Sequence, residues 1–332
     1  MPQPALSVII PCYNVGPFVA DCLRSVLRQP EAGRLEVLVV DDGSDDDTSA
    51  KVTAEFAAHP LVDCRLVRQS NQGLSSVRNL GLQMARGAYI AFLDGDDVWL
   101  PDYLACVLPH VLEGAAQVIA YNAMVVDVDG RRIKGLVVHG VASREAPQTR
   151  DEIALDAAAI GQWMSCTRVY RADLLQGLRF PLGRYYEDSA VVPTLYARAT
   201  QIRNLPDELY AYRKRPGSIT YSITGKHVDD LLLNIRETTA RLPEAPAFWG
   251  TVQRNMILQL ALEIGRAPRA LRRVLLARAW PEVASTTGPG FRLRWLLRFL
   301  DVSLRSNIKQ LLGIEPGVKA GGSVAAGTTA SR

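Results

Sequence analysis

The first hundred residues alternate strand-like runs with helical patterns, and this constrains the fold most. LSVII (6–10), LEVLVV (35–40), CRLVRQ (64–69) and YIAFL (89–93) are the strand-like runs. The first, second and fourth are almost continuously apolar, as strands buried on both faces must be. Between them, 17–27 places Val19, Leu23, Val26 and Leu27 on one helical face, 45–58 reads as a helix with an acidic first turn, and 74–85 as a third helix. Such alternation predicts a parallel α/β sheet. Ligands then belong outside the carboxyl ends of the strands, where the loops read PCYN (11–14), DDGSDD (41–46), NQG (71–73) and DGDD (94–97).

The last of these loops carries the sharpest chemistry. The buried run 89–93 ends directly in Asp94, Gly95, Asp96 and Asp97. Carboxylates crowded at the end of a buried strand repel one another and lose hydration. A hard cation with oxygen ligands, Mg2+ or Mn2+, would relieve that and keep positions open for substrate phosphates. A solvated acidic turn before the helix after Pro101 is the alternative. Asp41-Asp42-Gly43-Ser44 ends the second strand, where a carboxylate can accept from a base N–H or a ribose hydroxyl; Asp42 and Ser44 could instead cap the next helix. Arg78, in the second turn of the helix after Asn71-Gln72-Gly73, points back toward the strand ends. There it could bind a base or diphosphate or pair with one of the aspartates.

In this order and spacing, SVIIPCYN, VVDDGSDD, NQGLSSVRNLG and AYIAFLDGDDVW closely resemble the inverting glycosyltransferases of family 2, bacterial surface-polysaccharide type. The resemblance covers roughly residues 5–222. It implies an α/β GT-A (Rossmann-like) nucleotide-sugar domain, expected over residues 1–225. It also implies a donor site of Pro11, Tyr13, Asp42, Arg78, Asp94, Gly95, Asp96, Arg213, Arg215 and Ser218. In it Tyr13 and Asp42 would meet the base, Arg78 would help hold the nucleotide, and Asp96 with Asp94 would bind Mn2+ or Mg2+. Asp97 is expected to be structural or a helix N-cap. Tyr185-Tyr186-Glu187-Asp188 resembles the family's E-D motif, which makes Asp188 the expected catalytic base with Glu187 as the alternative. LYAYRKRPGSITYS (209–222) resembles its closing segment, with Arg213 and Arg215 as a clamp on the leaving diphosphate. Trp163 and Tyr186 are expected at the acceptor, in a region that includes Gln162 and Ser165. His227 is expected to face solvent, or to serve as an extra metal ligand.

The reaction so implied is a single displacement. A UDP-sugar would lose its sugar, with inversion, to a hydroxyl of a saccharide or lipid-linked glycan during surface polysaccharide or lipopolysaccharide synthesis. The non-catalytic alternative is a nucleotide-sugar-binding or scaffold subunit. It would want a broken D-x-D or a missing base, and both are present. Pro11 to Gly16 holds neither the G-x-G-x-x-G of dinucleotide-binding oxidoreductases nor the glycine-rich first loop of sugar-phosphate nucleotidyltransferases.

Further along, 117–128 and 132–139 read as strands joined at Asp129-Gly130, residues 140–160 as an irregular mobile loop, 188–200 as a helix and 209–214 as a strand. Residues 226–316 read as a helical C-terminal region, suited to a membrane surface or oligomer contact, and 317–332 as a disordered tail. Within the helical region, 291–314 mixes Phe, Trp and Leu with five basic residues. That suits a helix lying on an anionic membrane, or one packed on the catalytic domain. A net charge of only +4 argues against nucleic acid as a partner. Five cysteines without a C-x-x-C suggest neither disulfides nor zinc. No basic segment precedes an apolar run at the N-terminus, and no stretch reaches the ~18 apolar residues of a membrane span. The expected place is the cytoplasm, with peripheral contact at the inner face of the membrane.

Overall fold

The computed structural model describes residues 3–139, 148–219 and 222–287. Strands β1 (Leu6–Cys12), β2 (Leu35–Asp41), β3 (Asp63–Arg68) and β4 (Tyr89–Phe92) alternate with helices α1 (Val19–Leu27), α2 (Thr48–Ala58) and α3 (Leu74–Met84). β1 runs parallel to both β2 and β4, and β2 parallel to β3. Every residue of β1, β2 and β4 is buried, which is why those runs carry no polar alternation. β3, at the sheet edge, is only half-buried and correspondingly mixed in sequence.

The strand order β3-β2-β1-β4 places the site. The chain moves from β1 toward one edge, then returns to add β4 on the other side of β1. The crevice outside the carboxyl ends of β1 and β4 is therefore a topological switch point. The loops 11–14 and 94–97 open into it. Gly95 lets them approach: its N–H donates to the Pro11 carbonyl at 3.1 Å, and a Cβ there would lie 2.9 Å from that oxygen.

Beyond β4 the sheet stops being parallel. β8 (Arg168–Arg171) pairs antiparallel with β4 and with β6 (Val118–Val126). β9 (Ile202–Arg213) joins β6, the two-residue β5 (Val98–Trp99) closes on β9, and β7 (Arg132–Leu136) forms the expected hairpin with β6. The sequence did not reveal β5, because two residues show no period. α4 (Tyr103–Glu113) and α6 (Glu187–Arg198) complete this part, and Pro193 sits inside α6 without ending it.

Residues 150–160, expected as irregular loop, form helix α5 (Arg150–Ile160). Its start is a capping box: the Thr149 hydroxyl accepts from the Glu152 N–H, and Glu152 reaches back to the Thr149 N–H. Three alanines in a row, with few large apolar residues, hid its amphipathic face. Helices α7 (Gly225–Ala240), α8 (Pro246–Arg266) and α9 (Arg269–Thr286) follow. They share one continuous hydrophobic core with the sheet, from Leu6 to Val283. No helix among the described residues is long and apolar enough to cross a membrane. The basic stretch 291–314 and the tail 317–332 lie outside the described residues.

Candidate active site

The site is built around one buried guanidinium. Arg78, in α3, is 1% exposed. Its Nη1 donates to Glu187 Oε1 and, at 2.8 Å, to Asp188 Oδ1, while its Nη2 donates to Asp94 Oδ1 at 3.1 Å. Three carboxylates from the end of β4 and the start of α6 thus converge on one cation, Glu187 and Asp188 reaching it from 109 and 110 residues away in sequence. Local devices set this up. Asn79 exchanges two hydrogen bonds of 2.9 Å with the Phe180 backbone, pinning the segment before α6 to α3. β8 enters antiparallel to β4, so the turn before it lies at the carboxyl end of β4. From that turn the Ser165 N–H donates to Asp188 Oδ2 at 3.2 Å.

The carboxylates are electrostatically loaded. Burial first, then Asp188, pushes the Glu187 carboxyl up to about 7, with Arg78 pulling the other way. Burial likewise raises Asp188, and Arg78 opposes the rise. Burial and then Asp94 hold Asp96 above the ordinary carboxylate range. Asp97 is driven well above it by burial, then Asp96 and Asp94. It is structural: its oxygens accept from the Arg213 N–H and the Tyr210 hydroxyl, both at 2.6 Å. It caps no helix, since α4 begins after Asp102.

Several expected ligand contacts have a different place here. Arg78 has no surface to offer a nucleotide in this conformation, because its guanidinium is buried with both terminal nitrogens on the carboxylates. Arg213 is buried too. Its Nε donates to the Asp96 carbonyl at 2.8 Å and its Nη1 to the Val128 carbonyl at 2.6 Å, so it holds the loop together. Arg215 is freer and donates from Nε to Asp96 Oδ2 at 2.6 Å. Both arginines stack against Phe18, which sequence reasoning missed and only its place between two cations reveals. Asp42 is buried and accepts from Gln69 Nε2 and from the Gln72 and Gly73 N–H groups, so it shapes the loop before α3 rather than capping α2. Tyr13 is 46% exposed, at the mouth of the crevice. Ser218 is half-buried on the turn after β9.

Both acceptor candidates are turned inward. Trp163 is 4% exposed and packs edge-on to Tyr196 with Arg168 over its ring, so burial has made it core. Tyr186 faces the helical part, its ring against His227 and its hydroxyl beside Glu263. His227 is neither solvent-facing nor free to bind metal: Thr224 engages Nδ1 and the Ile219 carbonyl lies 2.9 Å from Nε2.

Among the described residues no group of three or more His, Cys, Asp and Glu side chains forms a complete metal cage. Asp94 and Asp96 nevertheless fit a hard cation that takes its other ligands from water and phosphate. They are two oxygen donors on one short loop, and Asp96 is already destabilised as an anion. In this structure the Arg215 guanidinium is the cation against it.

Comparison with known proteins identifies the family and the fold. The glycosyl transferase family 2 model matches residues 7–177. Glycosyltransferase EpsJ of Bacillus subtilis is 28% identical over 220 residues, 65% of this chain and 63% of that protein. The succinoglycan biosynthesis protein ExoO of Rhizobium meliloti is 30% identical over 237 residues, 69% of this chain and 66% of its own. The chain thus spans less than two thirds of these relatives' length. Among solved structures, S. aureus TarS 1–349 in complex with UDP-GlcNAc superposes with a TM-score of 0.58 at 20% identity, covering 93% of this chain and 92% of that one. The mannosyltransferase PcManGT from Pyrobaculum calidifontis, in complex with GDP-Man and Mn2+, gives 0.55 at 18% identity, covering 94% and 88%. At these identities the likeness concerns the fold. With the family model matched over more than half of this chain and the fold shared with these structures, the chain belongs to glycosyltransferase family 2 and has a GT-A fold with a C-terminal helical extension.

Proposed function

We propose that this enzyme transfers a sugar, with inversion, from a UDP-sugar to a hydroxyl of a saccharide or lipid-linked glycan. The observation that carries the reading is the single guanidinium that joins Asp94 to Asp188. It holds the diphosphate end of the site and a carboxylate of raised proton affinity a few ångströms apart, as an in-line displacement requires. Asp188 is the base. It is more exposed than Glu187, and the Ser165 N–H fixes its second oxygen, leaving the first shared with Arg78. It takes the acceptor proton as the new bond forms opposite the leaving diphosphate. Glu187, deeper and near neutrality, keeps the pair from carrying two full negative charges.

Tyr13 and Asp42 border the base end of the crevice. Asp96 and Asp94 would hold Mn2+ or Mg2+, which would supply positive charge to neutralise the departing diphosphate. When a donor enters, Arg215 leaves Asp96 for the phosphates. The polysaccharide role is supported by the likeness to the succinoglycan biosynthesis protein ExoO, and the nucleotide sugar by the ligands of TarS and PcManGT.

The test is nucleotide release from a panel of UDP-sugars and GDP-mannose by purified protein, with Mn2+, with Mg2+ and with EDTA, beside Asp96→Ala. One UDP-sugar consumed only with metal, and not by the variant, is the expected result. Release unaffected by EDTA or by Asp96→Ala would refute the metal site, and preference for GDP-mannose would refute the uridine assignment.

A further inference from the structure

The helical extension carries a polar stripe where a packed helix should be apolar. On α7, His227, Asp230, Asn234 and Glu237 recur at three- and four-residue spacing and so share one face. The first three are buried, Asn234 to 1% exposure. Buried polar groups are kept only where they are satisfied. His227 is held by Thr224 and the Ile219 carbonyl and Asp230 also pairs with Lys226 at 2.7 Å, but Asp230 and Asn234 both reach the backbone of one short segment. Asp230 Oδ2 accepts the Tyr185 N–H at 2.8 Å. Asn234 Nδ2 donates to the Tyr186 carbonyl at 2.9 Å. Arg184 bridges Asn234 Oδ1 at 2.9 Å and Glu237 at 2.8 Å.

The segment so gripped is strained. Tyr186 has φ 55° and ψ 36°, the left-handed region that a bulky side chain disfavours. It immediately precedes Glu187 and Asp188, and its carbonyl also accepts the Ser189 N–H at 3.0 Å, closing the first turn of α6. A left-handed residue reverses the chain within one step, and it persists only where neighbours over-determine it.

We propose that Asn234, seconded by Asp230, is a positioning residue for the reaction. By locking Tyr186 left-handed, α7 sets the direction in which Asp188 enters the site. This rests on the reading of Asp188 as base. The helical extension is then part of the catalytic apparatus through the backbone it holds at 185–186.

The test uses the full chain and two readouts. Hydrogen–deuterium exchange at residues 185–189 should rise at least about tenfold in Asn234→Ala, roughly the left-handed penalty once the lock is gone. Nucleotide release from the fastest of UDP-glucose, UDP-galactose and UDP-GlcNAc with Mn2+ should lose a similar factor in kcat at unchanged donor KM. Tyr186→Gly removes the strain, so adding Asn234→Ala to it should change both readouts less than about twofold. If Asn234→Ala does not fold, Asn234→Asp keeps the shape and the acceptor while deleting the N–H donor, with the same result expected. Unchanged exchange, or an equal loss with and without Tyr186→Gly, overturns the proposal; if no donor turns over, the exchange result decides. Asp188→Asn run alongside tests the base separately: full activity there, with the Asn234 effect intact, would sink the base assignment but not the lock.

Discussion

Replacing Arg78 by Met should expose the electrostatic heart of the site. The guanidinium sits over the rings of Phe92 and Phe180, at 5.7 and 5.4 Å, so a thioether of similar reach fits the apolar surroundings. What is lost is the one cation shared by Asp94, Glu187 and Asp188. Removing one partner of a buried ion pair costs about 3–5 kcal/mol, because the remaining charge is left uncompensated. The loss should depend on pH. Glu187 is already pushed up to about 7 with Arg78 in place, and without it the carboxyl rises further. A carboxyl raised in the folded state binds its proton more tightly there than in the unfolded chain. The stability it confers is therefore present at low pH and lost as pH rises through the folded value. Urea unfolding at pH 8.5 should show the full loss of about 3–5 kcal/mol, and at pH 5.5 about half of it or less. A loss below about 1 kcal/mol at pH 8.5, or one equal at both pH values, would refute the assignment of Arg78 as counter-ion to ionised carboxylates.

Asp188→Asn should lower transfer by about 10²–10⁴-fold while nucleotide binding persists, and a near-wild-type rate would remove Asp188 as base. Because Asp188 and Glu187 are both raised by burial, the acid limb of kcat/KM should lie above the ordinary carboxylate range, with the rate rising as pH passes it and the base ionises; a limb near pH ~4 would count against this. The basic, aromatic-rich stretch 291–314 should float the protein with anionic liposomes and not with neutral ones. Equal partition in both would return that stretch to a packing role.

The sequence alone determined the parallel half of the sheet and the loops that matter. A strand buried on both faces has to be apolar throughout, so β1, β2 and β4 announce themselves, and the acidic and polar clusters at their ends stand out against them. The Thr-x-x-Glu spacing at 149–152 marks a helix start, but the alanine run that follows carries no amphipathic period to extend it. The stripe at 227, 230, 234 and 237 is visible as a spacing, but a spacing does not say what the face will meet.

Tertiary structure decided who meets whom. Whether Arg78 would hold a phosphate or a carboxylate, and whether Trp163 would line a site or a core, depended on neighbours about a hundred residues away or on burial. The left-handed turn at Tyr186 depended on them as well, since nothing in a tyrosine's own preferences would place it there. Residue type and period are local properties and survive in the sequence. Ion pairing, burial and imposed backbone strain are pairwise or collective, and they exist only once the chain has closed on itself.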